Sequence, residues 1–229
     1  YTVLAHVPER ARTLADLGQA PGGATIDEAL IPESLREWVD AQEVSRDGAG
    51  LAELLSRLRD RGYLSHSLDA AQDGPREWEQ ALPGYAFAPS PAGHSYDRID
   101  RLFSALNERE SAVASTPGAS LVAAVGDDEQ FATAAALVAA DLGFPSRVVV
   151  GARLAAAEPD ASSLPACEGG LCRGENLAAW VEVQGADGRW VGADVTPQHA
   201  EPLAPEVGRA AFPAPARLVL RLLRRREFR

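Results

Sequence analysis

One apolar-periodic helix running straight into three strand-like segments constrains this chain more than any other feature. Phe131, Ala135, Val138 and Leu142 recur at helical spacing. Gly126-Asp127-Asp128-Glu129 precedes them, and acids suit the positive end of a helix dipole. Gly143, followed by Phe144-Pro145, ends the helix. Arg147-Val-Val-Val-Gly-Ala-Arg-Leu154 is then β-branched and strand-like. After a Pro, Ser and Gly-rich loop, Ala178–Gln184 alternates, a Gly-Ala-Asp-Gly turn follows, and Arg189–Val195 alternates again. Two such runs around one turn read as a hairpin. Upstream the pattern is helical, with Leu35, Trp38 and Val39 on one face. Leu51, Leu54, Leu55 and Leu58 follow in a helix over about 50–61 that Gly62 stops, and later come Ile99, Leu102, Phe103 and Leu106. Helices first and an antiparallel sheet after them is an α+β order. The opening Tyr1–Val7 alternates weakly and stops at Pro8. Residues 17–25, rich in Gly, Ala and Pro, read as a linker, and residues 70–96 read as loop.

Composition narrows the function classes. The 229 residues suit one large domain or two small ones, and 46% apolar with 24% charged residues excludes wholesale disorder. No run approaches the roughly 18 apolar residues of a spanning helix, and no signal-peptide pattern opens the chain. Because the chain starts at Tyr1 rather than a methionine, it reads as a soluble piece of a larger protein. The net charge of −11 is uneven, since residues 217–229 hold six arginines and one acid. The other 216 residues carry 16 arginines and 32 acids. Such a body repels nucleic acid, whose binders carry basic patches. All 22 basic residues are arginine, and with abundant alanine this points to a GC-rich genome.

Four blocks then stand in order: Gly126-Asp-Asp-Glu-Gln-Phe-Ala132, Leu142-Gly-Phe-Pro-Ser-Arg-Val-Val-Val-Gly151, Ala179-Trp-Val-Glu-Val183 and Trp190-Val-Gly-Ala-Asp-Val-Thr-Pro197. With them the chain resembles the bacterial transglutaminase-like family, relatives of the papain-fold cysteine enzymes. The lead-in from Val7-Pro8 to the helices after Pro32 resembles membrane-anchored members of that family. The resemblance implies a papain-like α+β fold on the extracytoplasmic side of a bacterial cell membrane, within a larger membrane-embedded protein. It also implies a Cys-His-Asp triad. Its cysteine opens the helix in Gly-x-Cys-Glu-Gln-Phe-Ala, its histidine precedes Ala-Trp-Val-Glu, and its aspartate precedes x-Thr-Pro. In this sequence those positions are Asp128, Ala178 and Asp194.

Only the aspartate remains. Acyl transfer by this route needs a thiolate that a neighbouring imidazole generates and later reprotonates. A carboxylate is a poor nucleophile toward amides, and the Ala178 methyl moves no proton. Asp128 reads as an N-terminal cap or an intrasite hydrogen-bond acceptor, with an anion-lined pocket for a cationic or polar group as the sharper alternative. If the hairpin loop is symmetric about Ala186, positions 178 and 194 face each other with side chains on one face. Asp194 then reads as a relic that holds backbone donors or water.

Cys167 and Cys172 flank Glu-Gly-Gly-Leu before the first hairpin strand. Outside the cytoplasm a disulfide between them is expected, with two ordinary thiols as the alternative. They lack the companions of a zinc site, and His6, His66, His94 and His199 form no i, i+4 pair. Neither metal nor cofactor is expected. A relocated nucleophile, Cys172 with His199, would make the chain a divergent hydrolase or acyl transferase. Trp180 and Trp190 read first as packing aromatics, with Asp128, Trp180, Asp194 and His199 as candidate binding residues. The tail from Arg217 reads as a docked helix or a basic, lipid-facing segment. The expected division is a strand and linker over 1–30, a transglutaminase-like domain over 31–200, and a linker with a basic segment over 201–229. The function expected is a catalytically degenerate module that binds or scaffolds a protein or cell-envelope peptide.

Overall fold

A computed structural model describes residues 12–23, 26–65, 93–113, 119–152 and 167–198. Among these residues, helices α1 (Glu33–Ala41), α2 (Gly48–Asp60), α3 (Tyr96–Val113) and α4 (Asp128–Asp141) surround one core. Strands β1 (Gly62–Leu64) and β2 (Ala124–Gly126) pair in parallel, and β3 (Ser146–Ala152), β4 (Leu177–Gln184) and β5 (Trp190–Ala193) form an antiparallel sheet in that order. The architecture is α+β.

α4 is the central element because its sequence allows it to be buried almost all round. Ten of its residues, from Gln130 to Ala140, are buried, and most are alanine. Small side chains let the helix approach β3 and β4 on one side and α2 on another. Phe131 and Val138 supply the bulk on this otherwise thin helix, both fully buried. Ser146 donates its hydroxyl to the Ala136 carbonyl at 2.7 Å, which pins the start of β3 to the helix.

The other helices bury the apolar stripes read from the sequence, including Trp38 against Phe103 with ring centroids 5.5 Å apart. A polar hub ties them together. Glu110 of α3 accepts from Trp38 Nε1 at 2.8 Å and from Gln42 Nε2 at 2.9 Å, and Arg61 pairs with it. Each group entering that partly buried spot therefore has a partner, as a buried polar group requires.

The structure departs from the sequence reading in three places. Leu14 and Leu17 are buried in the core cluster, so the segment expected as a linker from residue 17 contributes packing at its start. The reason lies in α2: a Cβ on Gly48 would stand 2.3 Å from the Leu14 carbonyl, and only glycine admits the Leu14–Leu17 turn so closely. Gly62 does not simply stop α2; it begins β1, a strand too short to leave a pattern. The hairpin centre is Asp187 rather than Ala186, because Gly185 and Arg189 close a three-residue loop with Gly188 at φ 76°. The opening strand, the loop over 70–92 and the tail from Arg217 lie outside the described residues.

Candidate functional site

β2 runs directly into the N-terminus of α4, and this junction holds the first site position. Asp127, with extended backbone, is the cap, and its Oδ1 accepts from the Gln130 N–H at 2.8 Å. Asp128 is the first helical residue and reaches away from its own helix. Its Oδ2 accepts from the Ala179 N–H of β4 at 2.7 Å. Of the two roles read for Asp128 in the sequence, the structure gives it the intrasite bond and gives the cap to its neighbour.

The sheet explains why Ala179 has a donor to offer. Gln184 donates to the Pro145 carbonyl at 2.8 Å, and Gly185 donates to the Arg189 carbonyl at 3.0 Å. Those bonds set the alternation along β4. Residues 179, 181 and 183 turn their main chain toward β5, and 178, 180 and 182 turn theirs toward β3. The β4–β5 ladder ends at Val181 and Ala193. Beyond it the chain turns away as Asp194 Oδ1 accepts from the Thr196 N–H at 2.9 Å. The next ladder donor is Ala179, and the Asp128 carboxylate takes the place of a strand carbonyl. A helix N-terminus and a strand end are thereby joined by a charge-assisted bond.

Position 178 lies beside this contact and is only 2% exposed. The ladder pairs Val181 with Ala193, a register two residues away from the one that would set 178 opposite 194, and it ends before either position is reached, so the expected direct pairing of 178 with 194 is not formed. The Thr196-Pro197 end is held close to the α4 N-terminus from the other side. Leu64 donates to the Gln198 carbonyl at 2.9 Å, and a Cβ on Gly62 would meet Phe131 at 2.6 Å and Pro197 at 2.7 Å. Two of the four blocks, those ending at Ala132 and Pro197, thus close over one glycine.

Trp180 is half-buried on the outer face of the sheet, between two glycines. A Cβ on Gly151 would lie 2.8 Å from its Cη2, and one on Gly192 would lie 3.7 Å from its Nε1. The indole occupies the room those missing side chains leave. Farther along that face, Arg147 bonds Glu182 Oε2 at 2.6 Å, and its guanidinium lies 4.2 Å from the Trp190 ring centroid. Trp190 therefore packs against Arg147, while Trp180 stands next to Ala178 along the strand. Sequence reading had no route to Gly151 and Gly192 as its seat; only the register brings them beside it.

Cys167 and Cys172 are joined in a disulfide. Cys172 is therefore no thiol, and the relocated nucleophile loses its sulfur. His199 lies outside the described residues, and His94 is exposed. No group of three or more metal-binding side chains occurs among the described residues.

A family model of the transglutaminase-like superfamily matches residues 90–195. Residues 90–195 carry a transglutaminase-like superfamily domain. The match takes in α3, α4, β3, β4 and β5, and with them Asp128, Ala178 and Asp194. No curated protein and no solved structure matches the chain.

Proposed function

We propose that this transglutaminase-like domain is catalytically degenerate and acts as a binding or scaffolding module of a bacterial membrane protein, on its extracytoplasmic side. One observation carries the reading: the carboxylate that stands at the thiol position is bonded to the Ala179 N–H. A thiolate there would use the helix N-terminus to stabilise its charge and attack. The carboxylate uses the same place as a structural tie. Beside it, the buried methyl of Ala178 stands where the imidazole of an active relative belongs, so no side chain at that position generates a nucleophile or protonates a leaving amine. Losing one member of such a triad removes several orders of magnitude of rate, and losing two leaves only binding effects.

The disulfide supports a location outside the reducing cytoplasm, where such bonds persist. No helix among the described residues is long and apolar enough to cross a membrane. The membrane attachment in this proposal therefore rests on the resemblance to anchored relatives. The ligand side of the proposal is a protein or cell-envelope peptide held near Asp128, Trp180, Asp194 and His199. Incubating the chain with peptide carboxamides and amine acceptors tests it. Ammonia release at the level of a heat-denatured control is expected, and turnover clearly above it would sink the claim of inactivity. If Trp180→Ala leaves capture of cell-envelope peptides unchanged, this part of the molecule is not the binding surface.

A further inference from the structure

The two edges of the three-stranded sheet are built differently. β5 spans only four residues, and the Leu14–Leu17 turn packs beside it, with Arg12 paired to Asp187 in the adjoining loop. β3 forms the opposite edge and is seven residues long. The bond from Gln184 to the Pro145 carbonyl fixes its alternation, so Arg147, Val149 and Gly151 turn their main chain toward β4. Val148 and Val150 turn theirs to the open side, and no described residue pairs with them there. The two residues are also 39% and 60% exposed.

Exposed edges are usually blunted by proline, a bulge or a charge. β3 contains no proline and pairs with β4 in unbroken register. Its single charge, Arg147, is held over the outer face by Glu182 and Trp190, on the opposite side of the sheet from Val148 and Val150. It does not guard the edge.

We propose that β3 is a self-pairing edge, by which two copies of this chain join β3 to β3 antiparallel about Val149 into one six-stranded sheet. In that register all seven residues pair. Val148 meets the partner's Val150, and the four valines form one apolar cluster on the α4 face. Arg147 meets the partner's Gly151, so no like charges stand opposite each other. The strand is thus self-complementary about Val149, with valine against valine and no like charges opposed, which is the argument for a second copy over an unrelated peptide. A single strand pair sits at the small end of specific interfaces, below about 1,200 Å² in total, where weak and reversible association is found.

Analytical ultracentrifugation of the 229-residue chain, from about 1 μM to 500 μM, reads this directly. Val150→Pro removes an N–H that the monomer does not use, and proline is tolerated on edges. Val150→Lys places a charge at the centre of the apolar cluster. Val149→Cys adds a thiol on the two-fold axis, where it is unpaired because both native cysteines are already bonded. A reversible dimer is expected, weakened at least tenfold by either Val150 variant, and Val149→Cys should give a covalent dimer on oxidation. Circular dichroism checks that each variant is folded, and if Val150→Pro is not, the other two carry the test. A chain that stays monomeric throughout, or a dimer that Val150→Lys leaves intact, would overturn the proposal. So would a Val149→Cys dimer that fails to cross-link.

Discussion

Helices α2 and α4 begin alike and then diverge at their first residue. Asp47 caps α2 by accepting from the Gly50 N–H at 3.0 Å, and Asp127 caps α4 by accepting from the Gln130 N–H at 2.8 Å. Next comes Gly48 in one helix and Asp128 in the other. Gly48 is there because the Leu14–Leu17 turn presses on it and the Gly18 carbonyl accepts its N–H at 2.6 Å. Asp128 faces no such pressure and spans to β4 instead. Since Asp127 already serves as the cap, Asp128 is not needed for capping. It links helix and strand.

Grafting the α4 residue onto α2 should have the largest effect. Gly48→Asp forces a Cβ to 2.3 Å from the Leu14 carbonyl, and backbone cannot step aside as a side chain tip can. Urea denaturation should record a loss of about 3 kcal/mol, the upper end for overpacking. The reciprocal change, Asp128→Ala, leaves the Ala179 N–H without its acceptor and should cost about 2 kcal/mol. Asp128→Asn keeps an acceptor oxygen and should lose clearly less. Asp127→Ala removes only the cap and should cost about 1 kcal/mol. If Asp127→Ala proves more damaging than Asp128→Ala, the division of labour drawn between the two residues is reversed.

The smallest effect is a pH dependence at α2. The Gly50 N–H, and then the Ser45 hydroxyl, hold the Asp47 carboxyl below its ordinary value of 3.8. The folded-state value is thus lower than the unfolded one. The contribution of Asp47 is complete above pH 3.8 and is lost as pH falls through the lower folded value. Asp47→Asn should flatten the acid limb of the stability curve in that window, measured by thermal melts at stepped pH. An acid limb identical to that of the parent chain would contradict this.

The four helical stripes were legible because burial enforces a period: Leu35, Leu51, Ile99 and Phe131 each stand where the 3.6-residue repeat puts them. β4 was legible through its alternation, and β3 through its run of β-branched residues. β1 and β2 were not, since three residues each leave no period to detect. The hairpin register was misjudged by two residues because loop closure depends on Gly188 adopting a left-handed conformation, which residue type permits but does not dictate. At the site, positions 128, 178 and 194 were named through the family resemblance alone. The sequence could not say that Asp128 would meet the Ala179 N–H, because that donor exists only where the β5 chain turns away after Ala193.

The Asp128 carboxylate closes the end of the β4 ladder by taking the Ala179 N–H. Amide hydrogen exchange at Ala179, compared between the parent chain and Asp128→Ala, measures this most directly. The Ala179 proton should exchange as slowly as those of Val181 and Val183 in the parent and at least tenfold faster in the variant, a change equivalent to about 1.4 kcal/mol of local protection. A fast-exchanging Ala179 amide in the parent chain, or equal protection in both proteins, would contradict it.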